Sequence, residues 1–342
     1  MFLDEKLKKG GILDILSSLD GPSGYEGQVR EFIKKQITPY VDEVSVDRMG
    51  NIIVHKCGKG KTVVVDAHMD EVGFIITGYN EDGTLRFRPL GGINSKIIPS
   101  KTVLIGEGKI PGIIGVKPIH LQSQEERKKG LNYDDCCIDI GAYSRKQTEA
   151  LIDLGEYVVF DTEYEEFGQG LIKGKAFDDR MGCFVLMEAL KESYDTDLYG
   201  VFAVQEEVGE RGSRIGAVNT KADIAIALEG TICADMPNIP KHLRATEIGK
   251  GPAISIMDLT SIFDTDIAED IMDVGDNLDI PYQRRKAIAG GNDAASFHSA
   301  GTGAKIATMS VPCRYIHSSV SVASKADVQN TVRLLVEYLK SL

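Results

Sequence analysis

Tryptophan is absent from this chain and aromatic residues make up only 7% of it, which argues against a Trp-lined pocket for sugars or quaternary ammonium groups. No stretch approaches the roughly 18 consecutive apolar residues that a membrane-spanning helix needs, so no membrane partner is expected. Basic patches with interleaved aromatics are missing as well. With 51 acidic against 39 basic residues the formal charge is −12, and a surface that acidic repels nucleic acid. The six cysteines form no C-x-x-C pair, which speaks against a structural zinc knuckle. The N-terminal run MFLDEKLKKGGILDIL has neither a long apolar core nor a small-residue cleavage site, and reads as mature sequence. Reduced thiols and a cytoplasmic location are therefore expected.

What the 342 residues contain is the composition of a soluble enzyme, 42% hydrophobic and 26% charged, long enough for two domains. The hydrophobic periodicity alternates between strand and helix at both ends of the chain. Residues 12–40 predict two short helices broken by Gly21, Pro22 and Gly24, followed by strands near 44–47 and 51–56. The apolar run Val63–Val65 predicts a strand buried on both faces. Between Gly73 and Gly168 short β-like runs separated by Gly and Pro turns replace the helical pattern, and Gln122–Gly130 reads as a solvated loop.

The alternation resumes with a helix from Arg180, strands at Leu198–Val204, Ile224–Leu228 and Lys305–Met309, and a final amphipathic helix. Ser324 and Asp327 there predict a capping box, with Val328, Val332, Leu335 and Leu339 on one face. The expected fold class is α/β, a mixed sheet flanked by helices, formed by residues 1–72 and 169–342. Residues 73–168 would be a small all-β, barrel-like insertion.

Candidate ligands follow the ends of four apolar runs. Val63–Val65 leads to His68 and Asp70, Leu198–Val204 to Glu206 and Glu207, Ile224–Leu228 to Glu229, and Lys305–Met309 to His317. In open α/β sheets the crevice beyond the strand ends is where ligands bind. In His68-x-Asp70 the two side chains face the same way on an extended segment, so Asp70 can orient the ring of His68 for a metal. The same pair at a strand end could simply cap backbone.

Asp178-Asp179 precedes a helix, where acids are favoured by the dipole alone. Alternatively, Asp178 could give one oxygen to each of two metals. Of Glu206 and Glu207, one could bind metal and the other take a proton from the metal-held water. Glu229 places a charge where the pattern predicts burial, and a buried charge needs a partner.

The segments AHMDEVGF, GKAFDDRMG, VQEEVGERG, ALEG and RYIHS, in this order, resemble the tetrahedral (TET) aminopeptidase family of dinuclear metallopeptidases along nearly the whole chain. The resemblance implies that His68, Asp178 and Glu229 hold one divalent metal and that Asp178, Glu207 and His317 hold the second. Glu206 would be the general base and Asp70 the residue orienting His68. It also implies a cis peptide between Asp178 and Asp179, zinc as the favoured metal with cobalt or manganese as alternatives, and a homo-oligomer, a dodecamer built from dimers through the insertion.

Peptides would be the substrates, cut at the N-terminus. A carboxypeptidase or amidase with similar ligands is the main alternative, and a glycoside hydrolase or an inactive scaffold are weaker ones. Glu229 departs from the Asp of many relatives, and the Ser-Ser-Val-Ser-Val-Ala-Ser run after His317 is less acidic than theirs. Gly290-Gly291-Asn292-Asp293 matches a segment near the family's substrate pocket, although the same turn also reads as a helix N-cap.

Overall fold

The computed structural model describes residues 2–286 and 288–342. A run of consecutive β-branched residues sets the middle of the molecule. On the strand Thr62–His68, Val63 and Val65 enter one apolar core and Val64 enters another on the opposite face, all with no exposed surface. A strand covered on both faces belongs inside a parallel sheet. It pairs in parallel with Asp197–Ala203 on one side and Ile224–Ile232 on the other, and Ile224–Ile232 pairs in parallel with Lys305–Arg314.

Antiparallel strands complete an 11-stranded mixed sheet. Glu43–Val46 and Ile52–Lys56 close one end, while Ser321–Ser324, Leu171–Gly174 and Glu165–Phe167 close the other. One face carries the helices Ile12–Ser18, Gly27–Ile37, Phe177–Ala189, Thr265–Asn277 and Lys325–Ser341. Arg211–Thr220 and Ala294–Ser299 lie on the other.

Six further strands close on themselves as a barrel, in the order Gly73–Tyr79, Leu85–Leu90, Cys136–Asp139, Ile110–Val116, Thr102–Ile105 and Tyr157–Phe160. Its core is a separate cluster in which Phe74 meets Phe87 and Phe160 edge-on, with ring centroids 5.1 and 5.3 Å apart. Thus the chain is α/β with a mixed sheet and a small all-β barrel. No helix among the described residues is long and apolar enough to cross a membrane.

Three expectations are corrected. Residues 124–129 form a short helix rather than a loop, because Ser123 and Glu126 exchange the two hydrogen bonds of a capping box. The capping box expected at Ser324 is not made. Instead Asp327 accepts the amides of Gly249 and Gly251 at 2.7 and 2.8 Å, satisfying a loop 76 or more residues away. Finally, Glu229 lies within a strand that continues to Ile232, not beyond its end.

Barrel and sheet are joined at a buried ionic cluster. Arg180, fully buried, donates to the carbonyls of Met69, Leu16 and Leu19. Lys175 donates to Glu71 at 2.6 Å, and Arg180 lies 3.5 Å from the same carboxylate oxygen. Asp20, also buried, pairs with Lys109 of the barrel and accepts from Tyr157 at 3.5 Å. Truncating one member of such a cluster strands the others without compensation, at a cost of about 3–5 kcal/mol. Glu71→Ala is therefore expected to lower the unfolding free energy by about that amount in urea titration. A loss below about 1 kcal/mol would mean that the carbonyl partners of Arg180 and Lys175 suffice.

Candidate metal centre and active site

The parallel register fixes where the chemistry gathers. Ala203 pairs with His68, so the turn after Ala203 emerges beside the end of the strand that carries His68. Glu206 and Glu207 lie on that turn, and Glu229 projects from the neighbouring strand. Asp178 opens the helix Phe177–Ala189, preceded by Ala176 at φ +55° and followed by a cis peptide to Asp179. His317 lies three residues beyond the strand Lys305–Arg314, with Tyr315 at φ +61° and His317 itself at φ +57°.

These side chains converge. His68 Nε2 is 3.5 Å from Asp178 Oδ1, 3.7 Å from Glu229 Oε2 and 3.8 Å from Glu206 Oε2. His317 Nε2 is 3.2 Å from both Asp178 Oδ2 and Glu207 Oε1. Asp178 therefore presents a different oxygen to each histidine. Among the described residues, His68 Nε2 and Glu229 Oε1 are buried with no hydrogen-bond partner. Ligands about 2.1 Å from a tetrahedral cation stand about 3.4 Å apart, close to the spacings found here, so the donor set fits divalent metal.

Asp179 extends the set. One of its oxygens lies within 4.8 Å of ligand atoms of His68 and Glu229. Its Oδ1 accepts the Gly182 amide at 2.9 Å, while Oδ2 has no partner. The sequence suggests only a supporting role for it.

Asp70 is fully buried and serves two elements at once. It faces His68, with Nδ1 3.4 Å from Oδ1 and 3.1 Å from the Asp70 carbonyl. It also accepts the amides of Glu206 at 3.0 Å and Glu207 at 3.2 Å and the Ser23 hydroxyl at 2.6 Å. Every amide from Val204 to Glu207 is in fact taken by a side chain, Asn51 accepting Val204 at 2.9 Å and Glu26 accepting Gln205 at 3.2 Å. The helix Arg211–Thr220 can close on this turn because Gly212 lacks a Cβ, which would lie 2.3 Å from Asn51 Oδ1.

Electrostatics follow from crowding acids in a dry place. Burial, reinforced by neighbouring carboxylates, raises Glu206 and Glu229 well above the usual carboxylate range although His68 opposes the shift. Burial likewise acts against Asp178, but His317 and His68 hold it low. His317 is pushed up to about 11: burial opposes its charge, and Asp178 and Glu207 outweigh that.

Two residues behind the ligands were not anticipated together. Asp66 and Asp293 are buried with all four carboxylate oxygens unpartnered, and both are raised by burial, Asp66 further by Asp293 itself. The cue for Asp66 was an acid inside the run Val-Val-Val-Asp-Ala-His. Asp293 does not cap its helix; Asn292 accepts the Ala294 amide instead, at 3.0 Å.

The ligands open onto a cleft of about 470 Å³ whose lining includes Glu210, Gly290, Gly291 and Arg285. Arg285 was also missed. Its Nε donates to Thr231 Oγ1 at 2.9 Å and its Nη2 to the Ala289 carbonyl at 2.6 Å. Among the described residues no carboxylate lies within 4.0 Å of it. Burial lowers its pKa, with Asp258 and Glu229 acting weakly in the other direction.

Comparison with known proteins identifies the family and fold of this chain. Residues 50–334 match the M42 glutamyl aminopeptidase family. The lysyl aminopeptidase of Pyrococcus furiosus is 30% identical over 330 residues, covering 94% of each chain. The structure of a TET aminopeptidase from a marine-sediment thaumarchaeon superposes with a TM-score of 0.93 at 35% identity, covering 97% of this chain and 95% of that one. The Pyrococcus horikoshii TET1 peptidase, which can assemble into a tetrahedron or a large octahedral shell, gives a TM-score of 0.86 at 32% identity over 99% and 100% of the two chains. Sequence match and shared architecture lead to one assignment: the chain belongs to the M42 glutamyl aminopeptidase family of peptide-bond hydrolases.

Proposed function

We propose that this protein is a dinuclear metal-dependent aminopeptidase that removes N-terminal residues from peptides, with Glu206 as general base. The observation that carries the reading is Asp178, whose two oxygens face His68 and His317. His68, Asp178 and Glu229 would hold one ion, and Asp178, Glu207 and His317 the other. Carboxylate and imidazole donors suit zinc first, and cobalt or manganese as well. Bound there, such ions supply Lewis acidity to the scissile carbonyl and acidify the attacking water.

The chain supplies the rest. Glu206 lies in the cleft, 3.8 Å from His68 Nε2, where burial raises its proton affinity above that of an ordinary carboxylate. It takes a proton from the attacking water and returns it to the leaving amine. The free α-amine of the substrate lies beside Glu206 or Glu229, which restricts cleavage to chain ends.

Arg285 supports a side-chain preference. A half-buried guanidinium held by two neutral acceptors, without a carboxylate partner, suits recognition of an anion. It is bonded to Thr231, two residues past Glu229 on the same strand, so an α-amine beside Glu229 rather than Glu206 would lie on its side. The side chain beside that amine therefore reaches Arg285, and we assign a preference for acidic N-terminal residues.

The six cysteines are free thiols, which fits a reducing cytoplasm. Residues 73–168 would form the dimerising unit of a dodecamer. The barrel region displays Ile119, Leu121, Tyr143, Leu151 and Leu154 to solvent, apolar surface that association would cover.

Four outcomes are expected. Chelated protein should lose both activity on unblocked aminoacyl chromophores and thermal stability, and regain both with zinc, cobalt or manganese. Glu206→Gln should retain metal yet lose about 10²–10⁴-fold in kcat; retention of kcat, or wild-type protein inactive under every metal, would remove the general-base assignment. For Arg285→Ala, kcat/KM on a Glu substrate should fall about 10–150-fold, the worth of a charge-assisted hydrogen bond. Its activity on a Leu substrate should change little, and equal losses on both would refute the assignment. Light scattering should give the mass of twelve chains, and a monomer would overturn the assembly.

A further inference from the structure

We propose that Glu26 is a positioning residue of the hydrolytic site: by accepting the Gln205 amide, it fixes the turn that carries Glu206 and Glu207. The inference rests on the roles assigned to those two glutamates above. They point to different places, Glu206 toward His68 and Glu207 toward His317, so a small rotation of their shared backbone would misplace both.

That backbone is under strain. Gln205 has φ +56°, in the left-handed region, which costs a residue with a Cβ roughly 1–2 kcal/mol. Asp70 holds the amides of Glu206 and Glu207, and Asn51 that of Val204. The Gln205 amide, at the strained residue itself, is held by Glu26 Oε1 at 3.2 Å, and the same oxygen accepts the Gly24 amide at 2.7 Å. Without Glu26 the amide of this left-handed residue, which directly precedes Glu206, would lose its acceptor.

Glu26 is an unexpected residue to find there. It occupies the N-cap position of the helix Gly27–Ile37, yet makes no side-chain bond to that helix and turns back toward Gly24 and Gln205. It is 3% exposed and has no cation within 4.0 Å among the described residues. Burial and the nearby Asp70 push it up to about 7. A buried acid without a counter-ion is costly, and the helix gains no cap from it. Its loop, Gly21–Glu26, also contributes Ser23 to Asp70, so one segment braces both carboxylates that hold the turn.

The test compares Glu26→Ala, Glu26→Gln and Glu26→Asp in the full-length protein. Two readouts are used: steady-state kcat and KM, and titration of metal-stripped protein with Co²⁺ followed by visible absorption. Removing a residue that orients metal ligands typically costs about 10–100-fold in activity or metal affinity. We expect Glu26→Ala to lose about that much in kcat with KM little changed, and to weaken Co²⁺ binding about 10-fold.

Glu26→Gln retains an acceptor oxygen and should recover to within about threefold of wild type. Glu26→Asp, one methylene short, should behave like Glu26→Ala and carries the comparison if Glu26→Ala does not fold. The proposal is overturned if Glu26→Ala or Glu26→Asp keeps both kcat and Co²⁺ affinity within twofold, or if Glu26→Gln is as impaired as they are. Should wild-type protein hydrolyse no peptide, the peptidase reading fails by itself, and the Co²⁺ titration still decides the role of Glu26.

Discussion

Asp70 is the constraint on which the rest of the site depends. One buried carboxylate faces the ring of His68 while accepting the amides of Glu206 and Glu207. A carboxylate with four lone-pair sites can do this, and an amide or hydroxyl cannot to the same degree. The ends of two parallel strands are thereby locked to each other across 136 residues of sequence. The position of the histidine and the direction of both glutamates become one structural variable. Burial would ordinarily drive Asp70 to take up a proton, but His68, Ser23 and the Glu206 amide hold it ionised and low.

A second constraint lies one residue further along. Glu71 pairs with Lys175 and lies near Arg180, and Asp20 connects that cluster to Lys109 and Tyr157 of the barrel. The barrel also reaches the candidate metal centre directly: the carbonyl of Gly92, just past the barrel strand Leu85–Leu90, lies 3.1 Å from His317 Nδ1. That contact leaves Nε2 facing Asp178 and Glu207. The orientation of one candidate ligand is therefore set by how the barrel docks on the sheet.

The charge balance of the cleft suits cations. Asp178, Asp179, Glu206, Glu207 and Glu229 are gathered around two histidines, with Asp66 and Asp293 directly behind. Without metal such a group must hold protons, and burial raises Asp179, Glu206, Glu207 and Glu229 accordingly. Metal binding would displace those protons and couple ion affinity to both pH and folding. The acids are tolerable together only because strand pairing and the Asp70 brace hold them in a geometry that cations can neutralise.

Local pattern was enough for much of this. Continuous apolar runs marked the central strands, since burial on both faces demands apolar residues throughout. The loss of helical periodicity after Gly73 marked the β insertion. His68, Glu206, Glu207, Glu229 and His317 stood out as candidates because polar groups where apolar runs end or should continue are costly without a purpose, whereas Asp178 stood out through the resemblance carried by GKAFDDRMG.

Tertiary structure alone decided the remainder. Glu26 reads locally as a helix cap and Asp327 as half of a capping box, yet each accepts amides far away in sequence. Arg285 and Asp66 gave little or no sign of their surroundings. A hydrogen-bonding group shows in sequence which bonds it can make. Which partner it takes, at ranges of 76 to 179 residues here, is settled only when the strands have paired and buried it, because burial is what makes an unmet bond expensive.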